Sequence, residues 1–257
     1  MYRFVILAGA LALAAFFIGC AEKPTPLPAP PPAAKPIGAA VQIPTPLGLP
    51  RVPIPADNPP TAETVALGRR LYYHTGLSVD STISCASCHD PRFGFSDGER
   101  FSDGLRKQKG DRNSPTVFNS AYYTLQFWDG REPSLEKQAE GPVKNPPEMA
   151  HTLRGVEKRL MTDRSYKAEF KKASGGDLLT YEMVEKAIAS FEPTVVSSNS
   201  PFDRYFYGRD KKALSASVRR GLEVFRNPKR AIARCVIRSV RNSPCSPTTN
   251  STIWGKA

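Results

Sequence analysis

The sequence lacks features that define several common classes of protein. Outside residues 4–18 it has no long apolar run, which excludes a polytopic membrane protein. Its 25 prolines and 18 glycines follow no three-residue period, which excludes a collagen-like chain. Only five of its 257 residues are cysteine, and a chain of this length can form a hydrophobic core, so it is not a disulfide-stabilised miniprotein.

Acidic residues are absent from the last part of the sequence. Residues 229–257 contain six lysines and arginines and no Asp or Glu, so they carry half of the formal net charge of +12. The charge is therefore uneven along the chain, which argues against interpreting the basic composition as a nucleic-acid-binding surface. We expect no nucleic-acid partner.

The N-terminus has the pattern of a bacterial export signal. Phe4–Ile18 is apolar but too short to remain as a transmembrane anchor, and it leads into Cys20. A cysteine at this point is typical of a lipoprotein signal, in which residues 1–19 are removed and Cys20 is acylated. The alternative is an ordinary secretory signal with an incidental cysteine. We expect a periplasmic protein that a lipid on Cys20 holds at a bacterial membrane.

The segment after Cys20 is rich in proline. Residues 21–60 include 14 prolines, a composition that prevents helix formation and favours extended chain. We therefore predict that residues 20–60 form a semi-rigid linker between the lipid and the folded part.

From residue 61 onward the patterning is helical. Thr180 and Ser215 are predicted N-caps of two helices. The apolar stripe that follows the first cap comprises Met183, Val184, Ala187, Ile188 and Phe191. Residues 78–149 are polar and contain many glycines and prolines, without the alternation of a β-sheet. Because loops of this length need something to pack around, we predict an all-α domain built on a large prosthetic group.

Cys85-Ala86-Ser87-Cys88-His89 is the strongest chemical motif in the chain. Two thiols at this spacing can form thioethers with the two vinyl groups of one haem, and the adjacent imidazole then binds the iron. A redox-active Cys-x-x-Cys would need a preceding strand, and a zinc site would need a second cysteine pair. We predict a haem c attached at Cys85 and Cys88, with His89 as the proximal iron ligand.

A second axial ligand would distinguish an electron carrier from an enzyme. The candidates are the remaining histidines and the methionines, namely His74, His151, Met149, Met161 and Met183. None stands out, because His74 lies at a predicted helix end and Met161 and Met183 lie on apolar helical stripes. The haem motif and these candidates therefore do not decide between an electron carrier and an enzyme.

Four further stretches accompany the haem motif. They are Arg112-Asn113-Ser114-Pro115-Thr116, Phe127-Trp128-Asp129-Gly130-Arg131, Asn145-Pro146-Pro147-Glu148-Met149 and Asn199-Ser200-Pro201-Phe202-Asp203-Arg204-Tyr205. Together with Cys85–His89 they resemble the bacterial di-haem cytochrome c peroxidase and MauG family over about residues 61–228. The resemblance implies an all-α, cytochrome-c-like haem domain with long loops at residues 61–212. Residues 213–230 would then begin a second, incomplete cytochrome c domain with its first helix.

The resemblance also implies roles for four residues. Glu148 matches the distal acid–base carboxylate, and Gln138 matches its hydrogen-bonding companion. Trp128 matches an indole that relays electrons between two haems, and Asn113 matches a calcium ligand whose partners come from the second domain. Without the resemblance, Glu148 and Gln138 would be interpreted as solvated loop residues and Trp128 as a core aromatic.

Two positions depart from the family pattern. Leu105 stands where some members carry a removable histidine ligand, which implies an iron that is permanently open on one side. Pro193 stands where the family usually has arginine after Phe-Glu.

The last residues do not continue the resemblance. A second haem motif should follow the helix that ends at Phe225, yet residues 231–257 contain no histidine and two cysteines at no usable spacing. Codons for residues 232–237, read from their third bases, can encode Cys-x-x-Cys-His. We therefore expect a frameshift between about Pro228 and Ala231, the alternative being a genuine basic tail.

The expected function is the reduction of hydrogen peroxide to water by a haem-dependent oxidoreductase. A small cytochrome c or cupredoxin would supply the electrons, and the absence of a second haem motif implies slow turnover with such a donor. The alternatives are MauG-like oxidation of a partner protein and a non-catalytic, mono-haem electron-transfer cytochrome.

Overall fold

The computed structural model describes residues 36–227. The predicted signal peptide, the lipidated Cys20, the first part of the predicted linker and the predicted aberrant tail lie outside the described residues. The described part is helical, and none of its helices has the length and apolar content needed to cross a bilayer. Its helices are α1 (Ala62–Tyr72), α2 (Cys85–Cys88), α3 (Leu135–Lys144), α4 (Leu153–Thr162), α5 (Arg164–Ser174), α6 (Tyr181–Phe191), α7 (Pro201–Phe206) and α8 (Ala216–Arg226).

Helices α1 and α6 pack directly on each other and form the centre of the core. Leu67 and Leu71 of α1 are buried in one cluster with Val184, Ala187 and Ile188 of the predicted α6 stripe, against which Met183 packs half-buried. The two backbones approach closely at Gly68, where a Cβ atom would lie 1.8 Å from the Ala187 carbonyl oxygen. Only glycine fits at this crossing, since any side chain would force the helices apart.

Helices α4 and α5 meet at Asp163, which caps the second of them. Its carboxylate accepts hydrogen bonds from the backbone N–H groups of Ser165 at 2.8 Å and Tyr166 at 3.4 Å. The cap starts a new helix at residue 164 and turns Tyr166 and Phe170 into the core. The apolar positions between 156 and 170 therefore belong to two helices.

The two predicted N-caps differ in their contacts. Ser215 caps α8 as predicted, since its side chain accepts a hydrogen bond from the N–H of Val218. Thr180 occupies the N-cap position of α6 but makes no capping hydrogen bond. The N–H of Tyr181 instead donates to Oε1 of Glu157 at 2.7 Å, so a carboxylate from α4 replaces the cap.

The region between α1 and α3 consists of long loops with short 3-10 turns and the single-turn helix α2. Between residues 36 and 227 the only extended pairings are isolated β-bridges, and no strand forms. The predicted all-α fold class is therefore confirmed. At the other end, α8 has no buried residue in the described chain, and its apolar Val218, Val224 and Phe225 are exposed.

The predicted linker includes residues 36–60 of the described chain, and some of these residues contact the helices although most are exposed. Val52 is buried, and Asn58 is only 2% exposed. The Asn58 side-chain amide donates to Oε1 of Glu136 at 2.9 Å and to the carbonyl of Lys186 at 3.1 Å. These contacts extend the folded region to the N-terminal side of residue 61.

Candidate haem site

A cavity of about 410 Å³ brings all the predicted site residues within the described chain together. Its wall is formed by α2, by α3, by the loops on either side of them and by residues of α1 and α6. The predicted residues on this wall are Cys85, Cys88, His89, Asn113, Trp128, Gln138 and Glu148. Residues that are up to 63 positions apart in the sequence therefore face one space.

Helix α2 places both cysteines of the motif on the cavity wall. This single turn begins after Ser84, whose N–H donates to Oγ of Ser87 at 3.0 Å. Both cysteines are free thiols and half-buried. Burial raises the pKa of Cys85 to about 12 and of Cys88 to about 11, so both thiols are protonated at neutral pH.

His89 is oriented by two backbone carbonyls. Its Nδ1 lies 2.9 Å from the oxygen of Pro115 and 3.3 Å from the oxygen of Phe95. Because a carbonyl oxygen can only accept, Nδ1 carries the proton and Nε2 keeps its lone pair. Burial lowers the pKa of His89, which also favours the neutral ring. A neutral imidazole with a free Nε2 is the form that binds a metal.

The neighbourhood of the motif fits a covalently attached haem. The cavity wall combines apolar and polar residues, and it carries the two thiols and the imidazole that haem c attachment requires. Two further wall residues, Ser120 and Glu192, are buried, and Oγ of Ser120 and Oε2 of Glu192 have no hydrogen-bond partner within the described structure. Buried polar atoms without partners are expected at a site that is completed by another group.

Glu148 is held on the wall by its neighbours. The Asn145 side-chain amide donates to Oε1 of Glu148 at 2.8 Å. The N–H of Leu105 lies 3.0 Å from the carbonyl oxygens of both Pro147 and Glu148. At the adjacent Gly104 a Cβ atom would lie 2.0 Å from the oxygen of Pro147, so these two loops are in backbone contact. Contacts with Asn145 and with residues 104–105 therefore hold the loop that carries Glu148.

Gln138 reaches the same cavity from helix α3. Ser134 begins this helix by accepting a hydrogen bond from the N–H of Lys137. Gln138 is half-buried and shares the wall with Glu148. An amide and a carboxylate that face one space can together bind a small molecule that donates and accepts hydrogen bonds.

Of the candidate second axial ligands, only Met149 lies on the cavity wall. It is buried in the core next to Glu148. His74 instead lies 4.7 Å, ring to ring, from Tyr166. Leu105, which replaces a possible histidine ligand, is buried and is not a wall residue. Pro193 lies in the buried 3-10 turn after α6.

Trp128 lies at the exposed rim of the cavity. Its side chain is 41% exposed, and its indole N–H donates to the carbonyl of Asn113 at 2.8 Å. The adjacent Asp129 forms ion pairs at 2.9 Å with Arg112 and Arg131. Trp128 is therefore partly exposed on the cavity wall, and its role as an electron relay stays a prediction.

The calcium role of Asn113 stays a prediction. Its side-chain amide donates to the carbonyl of Glu99, which leaves Oδ1 as the atom that could bind a cation. Within residues 36–227 no cluster of three or more His, Cys, Asp or Glu side chains is placed to hold a metal ion. The additional ligands that the resemblance implies would have to come from elsewhere.

Two residues of this site, Glu192 and Tyr72, were not predicted from the sequence. Tyr72 is fully buried on the cavity wall, and its hydroxyl donates to the carbonyl of His89 at 2.7 Å. Glu192 follows Ile188 by four positions, so it extends the buried stripe of α6. The sequence did contain a signal for Glu192, since this acidic residue falls at a position of the apolar helical stripe.

Known proteins of one family are similar to the part of the chain that forms this cavity. The family model for the di-haem cytochrome c peroxidases matches residues 62–211. A cytochrome c551 peroxidase from Nitrosomonas europaea is 41% identical over 174 residues, which are 68% of this chain and 52% of that protein. The methylamine utilization protein MauG of Methylophilus methylotrophus is 37% identical over 180 residues, or 70% of this chain and 53% of that protein.

A solved structure shares the fold. A MauG-like protein associated with microbial copper homeostasis superposes with a TM-score of 0.66 and 29% identity, over 72% of this chain and 54% of that chain. The chain spans about half the length of the curated relatives it matches. The matched residues contain the whole cavity described above, and they agree with the predicted family. This chain belongs to the di-haem cytochrome c peroxidase family.

Proposed function

We propose that this chain forms the peroxidatic part of a haem peroxidase, which reduces hydrogen peroxide to water with electrons from a small cytochrome c or cupredoxin. The observation that carries the proposal is the single cavity lined by the haem-attachment motif and by Glu148. A haem c held by Cys85, Cys88 and His89 would supply the redox-active iron. The proposal includes a periplasmic location and a lipid anchor at Cys20.

Glu148 is proposed to move protons within the cavity. Reduction of one peroxide to two waters consumes two electrons and two protons. A carboxylate beside the bound peroxide can take the proton from one oxygen and give it to the other as the O–O bond breaks. Asn145 keeps the Glu148 carboxylate in place through its 2.8 Å hydrogen bond, and the Gln138 amide donates a hydrogen bond to peroxide.

Trp128 is proposed as the route by which electrons enter. Its ring is on the cavity wall and also open to solvent, so it bridges the interior and the surface. The family is named for two haems, whereas the 257-residue sequence contains one Cys-x-x-Cys-His motif.

A second candidate is oxidation of a partner protein. It is favoured by the exposure of Trp128 at the rim, because an accessible indole can pass electrons out of a partner that docks there. Two of the matched relatives carry the name MauG. Peroxide-dependent oxidation of a partner without consumption of a reduced donor would favour this function over the first.

The test is peroxide reduction by the haem-loaded chain and its Glu148→Gln variant. We expect turnover to fall by roughly 10²- to 10⁴-fold in Glu148→Gln, as for the loss of a general acid–base group. Glu182→Gln is the matched control, since Glu182 is paired with Lys186 on α6 and lies off the cavity wall. Equal activity of Glu148→Gln and the parent would contradict the role of Glu148. Low-spin, six-coordinate iron that does not react with peroxide would instead identify an electron-transfer cytochrome.

A further inference from the structure

Glu192 is a second carboxyl group on the cavity wall, and the peroxidase chemistry above does not use it. It is the first residue of the 3-10 turn Glu192–Thr194, directly after α6. The residue is 6% exposed, and its Oε2 has no hydrogen-bond partner in the part of the chain that the structure describes. Burial of a carboxyl group without a partner disfavours its charged form.

The titratable groups around Glu192 do not offset the free-energy cost of burying its carboxylate. Tyr72 from α1, Cys85 from α2 and Glu136 from α3 interact with it electrostatically. The 3-10 turn Ser120–Tyr122 packs against its turn, but the Tyr122 hydroxyl donates to the carbonyl of Pro50. Burial and the negative charge of Glu136 raise the pKa of Glu192 to about 8. The group therefore exchanges its proton near physiological pH.

A change of charge inside this cavity must shift the protonation equilibrium of Glu192. A redox cofactor becomes one unit less positive when it gains an electron, and two charges in a poorly hydrated interior interact strongly. The oxidised cofactor favours the carboxylate form of Glu192, whereas the reduced cofactor favours its protonated form. Glu148 is placed differently, since it is half-exposed and Asn145 holds its carboxylate.

We propose that Glu192 is a redox-linked proton site, which binds one proton when the haem of the proposed function gains an electron and releases it on oxidation. In each cycle a reductant supplies one electron to the cofactor, and solvent supplies one proton to the Glu192 carboxylate. The O–H bond of the carboxyl group is the only bond that forms or breaks. Glu192 thereby stores inside the cavity one of the two protons that peroxide reduction consumes.

The experiment is a redox titration of the haem-loaded full chain between pH 5.5 and pH 9.5. In the parent, the ratio of reduced to oxidised haem at a fixed potential should fall by up to tenfold for each unit rise in pH near pH 8. Glu192→Gln should lose this dependence. Glu185→Gln is the matched control and should keep it, because Glu185 is also buried and on α6 but pairs with Lys137 off the cavity wall. The same dependence in Glu192→Gln and the parent would overturn the proposal.

Infrared difference spectra provide a second measurement that does not depend on the variant. Reduction of the parent should produce a carboxylic acid C=O band that shifts in D₂O, and its absence would also overturn the proposal. A chain that takes up no haem would contradict the proposed function, and this inference with it. A chain that binds haem but has a pH-independent potential would contradict only the role of Glu192.

Discussion

A first residue-scale prediction concerns Asn145. Asn145→Ala removes the hydrogen bond that holds Oε1 of Glu148, so the carboxylate spends less time in its productive position. The loss of one such bond corresponds to about 1 kcal/mol, and kcat for peroxide reduction should fall by about three- to tenfold. Steady-state kinetics should show this fall with an unchanged haem absorption spectrum. An unchanged kcat would contradict the positioning of Glu148 by Asn145.

The cavity residues differ in how much could be inferred from the sequence. Cys85, Cys88 and His89 were predictable because their chemistry depends on adjacent positions in one motif. The placement of Glu148 beside Gln138 required the resemblance to a family, since ten residues of helix and turn separate them. The helical pattern places Glu192 on the buried side of α6, but it does not specify the groups of α1, α2 and α3 that interact with its carboxyl group.

A second residue-scale prediction concerns Glu185. Burial raises its pKa above the ordinary value of 4.5, although Nζ of Lys137 lies 3.3 Å away. The folded chain therefore binds this proton more tightly than the unfolded chain, so the associated stability is present below about pH 4.5 and is lost as pH rises. Glu185→Gln should be more stable than the parent at pH 8, by on the order of 2 kcal/mol, and nearly equal to it at pH 4.5.

Urea unfolding at the two pH values measures this difference. Glu182→Gln provides the control, because Glu182 is exposed on the same helix and pairs with Lys186. It should change the free energy of unfolding little at either pH. An equal effect of Glu185→Gln at pH 4.5 and pH 8 would contradict the prediction.

At the scale of elements, local patterns predicted helices more reliably than they predicted what the helices contact. The stripe of α6 and the Ser215 cap of α8 were predictable because they depend on residues within one or two turns. The packing of residues 36–60 was not, since Asn58 binds partners 78 and 128 positions away. A proline-rich composition excludes a helix, but it does not exclude an extended segment that packs on a core.

Arg159 of α4 supports the loop that leads to the haem motif. Its guanidinium donates hydrogen bonds to the carbonyls of Gly76, Ser78 and Val79 at 2.6–2.9 Å. Arg159→Ala should lower the free energy of unfolding by about 3 kcal/mol, because it leaves these carbonyls without their charged donor. Urea unfolding measures this loss. For the exposed control Arg154→Ala, the free energy of unfolding should stay within about 0.5 kcal/mol of the parent's. Equal effects of the two variants would contradict this role of Arg159.

At the scale of the whole molecule, the cavity interrupts the packing of side chains in the core. Its wall draws on α1, α2, α3 and α6 and on the long loops between them. The sequence indicated this arrangement through loops too long to pack on themselves, although it did not indicate which helices would surround the space. The haem would therefore act as part of the core as well as the reaction centre.

This arrangement predicts a large stabilisation by the cofactor. Without haem, the wall residues border a space of about 410 Å³, and unfilled space of this size is costly. Chain produced with cytochrome maturation machinery should have a thermal midpoint about 10 °C or more above that of haem-free chain. The double variant Cys85→Ala/Cys88→Ala, produced in the same way, should resemble the haem-free chain. Identical midpoints with and without haem would contradict this prediction.

The contact between Gly104 and Pro147 links two stretches that a designer would otherwise treat as independent. Since no side chain fits between them, direct backbone contact sets the distance between the loop that carries Glu148 and the loop at residue 104. Grafting either stretch from a relative by itself would change that spacing. Chimaeras intended to alter the reaction should therefore exchange residues 104–105 and 147–148 as one cassette.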